Sequence, residues 1–247
     1  MSAQKLAALG AVSFVMSILS GFGGSGGGFV MTPLFIFLGL TPQQAIASGK
    51  IGGMGTTLGS LQGLMSSKIH RWKVVLPLMI MAVVVGLAAP FAIKHLDNSL
   101  YRHLIGVILI LLIPVILLKK VGIETKEPKA WQKALAVPLL FITLLMQAIF
   151  SSGMGTLVVL VLMGFLGMRA LEANVTKRLS QVLLNTLLII GLLGSGLIIW
   201  SVAAVIFFTN LAGSYIGSKV ALKRGDLFVT RIFAVMMLVS GLALLLG

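Results

Sequence analysis

Residues 21–28 read GFGGSGGG, and the meaning of this run decides the fold. Its first six residues, Gly21-Phe22-Gly23-Gly24-Ser25-Gly26, match G-x-G-x-x-G, the dinucleotide-binding fingerprint. That fingerprint requires a strand before it, a helix after it and an acid about 20 residues on for the ribose. The first acid after Gly26 is Asp97, and Leu6 to Ser20 is free of charge. The nucleotide reading fails. Two others remain: small residues that let helices approach closely, or a break in the backbone. With seven of eight positions Gly or Ser, a stable helix is disfavoured. Irregular backbone at membrane depth is tolerated where protein or a watery cavity surrounds it. The run is read as a break.

Composition supplies the membrane. The 247 residues are 58% hydrophobic and 10% charged, with mean hydropathy +1.12, where a soluble domain carries about 25% charged residues. Val74 to Ile93, Leu104 to Leu118, Val182 to Ile199 and Phe228 to Leu246 carry no Asp, Glu, Lys or Arg except Arg231. A spanning helix needs about 20 such residues. Residues 6–20 end in no cleavage site leading to a polar domain, so they read as the first segment and not as a signal peptide. With no cysteine, disulfides, thiolate metal sites and a Cys nucleophile are excluded. The net charge of +14 is assigned to loops facing the cytoplasm; no nucleic-acid partner is expected.

A shift of 128 residues exposes an internal repeat. Gln4-Lys5 falls on Gln132-Lys133, Phe22 on Phe150, Gly27 on Gly155, and Phe37-Leu38-Gly39 on Phe165-Leu166-Gly167. Ala45 meets Ala173, Gly63-Leu64 meets Gly191-Leu192, and Trp72 meets Trp200. The chain divides into residues 1–120, a cytoplasmic linker 121–131 and residues 132–247. Each half opens with an apolar segment (6–21; 134–150) that runs into a Gly/Ser break and a short segment (28–40; 156–168). Three longer segments follow: 43–66, 74–94 and 100–118 in the first half, 171–194, 198–222 and 227–246 in the second. Thirteen residues of helix reach only about 20 Å, short of a hydrocarbon core near 30 Å. The first two segments therefore form either a re-entrant hairpin or two full crossings.

Basic residues set the orientation. Lys68, Arg71, Lys73, the linker lysines, Arg169, Lys219, Lys223, Arg224 and Arg231 fall on one side and Lys5, Lys94 and Arg102 on the other. The richer side is expected to be cytoplasmic, with both termini outside. Each half makes an odd number of net crossings, so the halves are inverted. The expected fold is an all-α integral membrane protein of two inverted-topology repeats, a plan in which substrate sits at the repeat interface near the midplane.

The repeat also places candidate ligands. Ser48-Gly49-Lys50 aligns with Thr176-Lys177-Arg178, so a hydroxyl and a cation recur two residues apart. Lys50 and Arg178 read either as ligands or as side chains snorkelling to the interface. Gly26, Gly27 and Gly28 with Ser25, and Ser151, Ser152, Gly153 and Gly155, would supply amides and hydroxyls at the breaks. Such nests at helix starts suit an anion. Thr57 aligns with Asn185; with Gln181 they are candidates for lining a pathway or for gluing helices, as are Thr56, Gln62 and Asn210. No Asp or Glu lies well inside a span; Glu172 stands at a helix start. Without clustered acids, bases or metal ligands in the spans, no enzyme, catalytic residue, metal or cofactor is expected. A passive anion channel is the second reading.

The run GFGGSGGGFVMTPLFIFLGLTPQQAIAS, with its looser repeat in a cysteine-free chain of this length, resembles the TauE/SafE family of membrane transporters, also called the toluene sulfonate uptake permease family. The resemblance implies a transporter of a small sulfur-containing or organic anion, sulfite or an organosulfonate, in the bacterial inner membrane. Its other partners would be membrane lipid and, in a homo-oligomer, a second copy of the chain. Family members commonly read Thr-Ser after the Ala-x-Ala stretch, where this chain has Ser48-Gly49-Lys50. The second copy reads Ser151-Ser152-Gly153-Met154-Gly155, so the two half-sites are expected to differ.

Overall fold

The charge-poor runs fold as helices. A computed structural model of the chain describes residues 3–23, 31, 34–35, 38–64, 71–94, 127–150 and 155–246, with side chains to residue 232. The helices are α1 (Ala3–Gly23), α2 (Pro42–Leu64), α3 (Trp72–Lys94), α4 (Ala130–Phe150), α5 (Gly155–Leu166), α6 (Ala170–Leu192) and α7 (Trp200–Leu246). No strand occurs among the described residues. Five helices among the described residues are long and apolar enough to cross a membrane: α1, α3, α4, α6 and α7. Most of the expected segment at 28–40 and all of 100–118 lie outside the described residues, as do Ser25, Gly26, Gly27, Gly28, Ser151, Ser152 and Gly153.

The repeat reappears in local structure. Gly39 and Gly167 both take positive φ, +97° and +61°, a conformation that favours glycine. Each ends a turn in which the next amide reaches back, Leu40 to the Phe35 carbonyl and Met168 to that of Leu162. The next helix then starts with a capping hydrogen bond to the side chain three residues on, reciprocated in α2 only. In α2 the Gln44 amide donates to Thr41 Oγ1 and the Thr41 amide to Gln44 Oε1, with Pro42 at the first helical position, where its missing N–H costs nothing. In α6 the Arg169 amide donates to Glu172 Oε2. Trp72 and Trp200 open α3 and α7, and both are exposed, as suits interfacial anchors.

Helix directions follow from close contacts. Along α2 and α7, Gly52 faces Ile206, Gly55 faces Phe207, Gly59 faces Leu211 and Gly63 faces Ser218. The partners ascend together, so the two run parallel. Gly10 against Val205 and Gly217 against Ile18 give α1 the same direction. Gly86 against Leu187, and Gly191 against the ring of Pro90, set α3 parallel to α6. Asn185 in α6 meets Thr57 in α2, whereas Ser48, near the start of α2, meets Ile199 beyond the end of α6. These two therefore run antiparallel.

The spacing Gly55-x-x-x-Gly59-x-x-x-Gly63 explains how close α2 lies to α7. An added Cβ at any of the three would collide with α7, at the Phe207 carbonyl, the Leu211 carbonyl or the Ser218 hydroxyl. Small residues at this period let backbones meet. Helix α2 is rich in Gly, Ser and Thr, yet most of it is buried, held among α1, α6 and α7. By contrast α3 is split between two faces. Leu76, Ile80, Val84, Leu87 and Phe91 point outward, while Val75, Leu78, Ala82, Val85, Ala89 and Ile93 are buried. In a membrane the outward face meets lipid. The expected segments 198–222 and 227–246 form one assigned helix broken at Gly225 (φ 79°, ψ −177°).

Candidate functional site

Four polar residues of α6, Asn174, Arg178, Gln181 and Asn185, are spaced four, three and four apart, which places them on one helix face. All four are buried. On α2, Lys50 and Thr57 share a face in the same way and are also buried. The two faces meet where Asn185 Nδ2 donates to Thr57 Oγ1 at 3.4 Å. These two residues are equivalent under the 128-residue shift. The result is a buried polar seam between antiparallel helices.

Neither cation snorkels. Lys50 is 4% exposed and Arg178 1%. Lys50 Nζ donates to the Gln147 carbonyl at 2.8 Å, near the end of α4. Arg178 Nη2 donates to the Ser20 carbonyl at 2.8 Å, near the end of α1. The two bonds are reciprocal: a cation from each half holds the end of the other half's first helix, just before its Gly/Ser stretch. A cation is favourable there, because helix C-termini carry partial negative charge. Arg178 Nε also donates to Asn174 Oδ1 at 3.3 Å. Lys177, beside Arg178, is buried as well.

The structure does not bring Lys50 and Arg178 together. Each lies seven residues before the Thr57–Asn185 contact on its own helix, and the helices are antiparallel. At 1.5 Å per residue the cations stand about 10 Å to either side. Ser48 Oγ accepts the Ile199 amide at 3.0 Å and so caps the approach to α7. Its counterpart Thr176 is buried, and its hydroxyl makes no hydrogen bond within the protein. Gly155 is the buried first residue of α5. Gln181 is buried, with Oε1 unbonded.

Of the other polar candidates, Asn210 is glue: it accepts from Ser13 Oγ and donates to the Gly52 carbonyl, tying α7 to α1 and α2. Thr56 bonds its own helix at Gly52. Gln62 is exposed. Sequence reasoning missed Gln147 and Asn174, although the spacing of Asn174 with Arg178, Gln181 and Asn185 was a visible signal. Gln147 contributes through its carbonyl, which no residue pattern reports. It also missed a clamp at the start of α6. Arg71 pairs with Glu172 at 2.6 Å and Arg169 with Asp226 at 2.7 Å. Asp226 Oδ1 also accepts the Leu171 amide at 2.8 Å. This gathers Arg71, Arg169 and the residue after Gly225 at one end of the bundle, as the charge grouping expects.

Known proteins place this architecture. The family model described as "Sulfite exporter TauE/SafE" matches residues 9–244. A "Probable membrane transporter protein" of Haemophilus influenzae is 23% identical over 237 residues, covering 94% of this chain and 91% of that protein. The "Probable membrane transporter protein YjnA" of Bacillus subtilis is 25% identical over 240 residues, covering 92% of this chain and 94% of that protein. No solved structure matches the chain significantly. Multiple apolar helices around a buried polar seam, with a family match over nearly the whole length, lead to one conclusion: the chain belongs to the TauE/SafE sulfite exporter family and is a multi-pass membrane transporter.

Proposed function

We propose that this transporter moves a small anion, sulfite or an organosulfonate, across the bacterial inner membrane by alternating access of two inverted repeats. The observation that carries the reading is the burial of Lys50, Lys177 and Arg178 well inside α2 and α6. The acids of the described spans, Glu172 and Asp226, are paired with arginines at the helix ends. Burying positive charge among apolar helices is costly, and an anionic substrate offsets that cost. A cation substrate would add to the repulsion.

The inverted arrangement is supported by reciprocity. Helix α2 packs on α7 as α6 packs on α3, and Lys50 and Arg178 each hold the opposite half's first helix. Two such halves rocking about the Thr57–Asn185 contact would open the seam to one side and then the other. Both termini face outward in this reading, and the end carrying Arg71 and Arg169 faces the cytoplasm.

Uptake into proteoliposomes tests it, with radiolabelled sulfite, thiosulfate, sulfate, taurine, sulfoacetate and an aromatic sulfonate, and sodium as control. Saturable flux of a sulfur oxyanion or of a sulfonate that carries net negative charge is expected. Movement of sodium or of zwitterionic taurine, with no anion moving, overturns the reading.

A further inference from the structure

We infer that the seam holds two anion stations, one at Lys50 and one at Arg178, separated by the Thr57–Asn185 contact; this rests on the anion reading above. The plan of inverted repeats leads one to expect a single midplane site to which both cations contribute. Helix geometry argues otherwise. With α2 and α6 antiparallel and meeting at Thr57 and Asn185, the Lys50 and Arg178 backbones stand about 20 Å apart along the helices. Helical side chains lean toward their own N-terminus, so these two lean away from each other. Each is moored on a different helix, Lys50 at the Gln147 carbonyl and Arg178 at the Ser20 carbonyl. A sulfur oxyanion, only a few ångströms across, cannot touch both.

Among the described residues, buried side-chain polar atoms that make no hydrogen bond within the protein are Ser60 Oγ, Gln147 Oε1, Asn174 Nδ2, Thr176 Oγ1 and Gln181 Oε1, and two of them belong to residues in direct contact with the cations. Gln147 Oε1 belongs to the residue that holds Lys50, and a half-turn of that amide presents its NH2 instead. Asn174, one turn before Arg178, accepts from its Nε through Oδ1 and leaves Nδ2 unbonded, a donor of the kind an oxyanion accepts from. Thr176 Oγ1 is unbonded too but stands on another face of α6. Gln181, whose Oε1 is also unbonded, stands between Arg178 and the central contact.

The stations differ in chemistry. At one end a lysine offers a point charge; at the other a guanidinium offers a planar fork with the Asn174 amide beside it. Under the repeat, Asn174 and Gln181 correspond to Ile46 and Gly53, so the Arg178 station has hydrogen-bonding groups that the Lys50 station lacks. The Arg178 station therefore binds an oxyanion more tightly, and transport is passage from one station to the other past Thr57 and Asn185. In each station the anion takes over a cation now shared with a helix-end carbonyl.

Equilibrium dialysis of the purified full-length protein with radiolabelled sulfite tests this. Lys50→Gln and Arg178→Gln are the variants of choice, because a glutamine NH2 can still donate to the Gln147 or Ser20 carbonyl. The expected stoichiometry is two sulfites per chain in the unaltered protein, one in each variant, and none in the double variant. Lys50→Arg and Arg178→Lys should each keep two. One sulfite in the unaltered protein, lost in either Gln variant, means a single shared site and overturns the two-station inference while keeping the anion reading. Two sulfites retained in both Gln variants overturn the assignment of these residues. No sulfite, thiosulfate or sulfonate bound by the unaltered protein overturns the anion reading itself.

Discussion

Equivalent residues of the two halves do unequal work. The Ser48 hydroxyl accepts the Ile199 amide, whereas the Thr176 hydroxyl makes no hydrogen bond within the protein. Lys50 and Arg178 make the same kind of contact, a cation on a helix-end carbonyl. If they are ligands as well as moorings, charge and donor geometry separate in mutants. Lys50→Ala should reduce anion flux at least tenfold. Lys50→Arg should retain part of it, because charge persists while the shape changes. Initial rates in proteoliposomes at equal reconstituted protein check this, and unaltered flux in Lys50→Ala would remove Lys50 from the pathway. The cations were legible in the sequence because an intramembrane Lys or Arg is rare. Their carbonyl partners were not, since every residue has a carbonyl and only folding selects the Gln147 and Ser20 groups.

At the scale of elements, α2 and the start of α6 carry the argument. A Cβ at Gly59 would run into the Leu211 carbonyl and the Ser214 hydroxyl of α7, whereas a Cβ at Gly49 meets only the Phe35 ring at 3.6 Å. One substitution should therefore have opposite effects. Gly59→Ala should destabilise by about 1–3 kcal/mol through overpacking. Gly49→Ala should be neutral or stabilising by up to about 1 kcal/mol, from helix propensity. Thermal unfolding in detergent distinguishes them, and equal shifts would contradict the packing. At α6, Asp226→Ala removes the acceptor for the Leu171 amide and the partner of Arg169. Loss of a helix cap costs about 1 kcal/mol. Arg169 is well exposed, so its ion pair adds little. Asp226→Asn, which keeps a carbonyl acceptor, should recover most of the loss in the same assay. The helices were legible from apolar runs, while the start of α2 at Thr41, Pro42 and Gln44 emerged only with the capping bonds. The clamp was not, because it joins Arg71, Arg169, Glu172 and Asp226 from three parts of the chain.

For the whole molecule, the repeat was the strongest sequence signal, and it reappears in the turns at Gly39 and Gly167 and in the Thr57–Asn185 contact. What the sequence did not convey was separation. Helices α2 and α6 run antiparallel through the Thr57–Asn185 contact, so Lys50 and Arg178 align in sequence yet lie on either side of that contact. Topology is open to direct test, since the chain has no cysteine of its own. A cysteine placed at Glu127 in the linker should react with a membrane-permeant maleimide in intact cells and not with an impermeant one. A cysteine placed at Ser2 should react with both. The reverse pattern would turn the protein over in the membrane.

The most direct test of the central claim, that buried cations of the α2–α6 seam carry an anion, is sulfite flux into proteoliposomes for the unaltered protein, Arg178→Gln and Arg178→Lys, each shown monodisperse before reconstitution. The account predicts saturable flux, its loss in Arg178→Gln and partial return in Arg178→Lys. Sulfite flux in Arg178→Gln equal to that of the unaltered protein would contradict it.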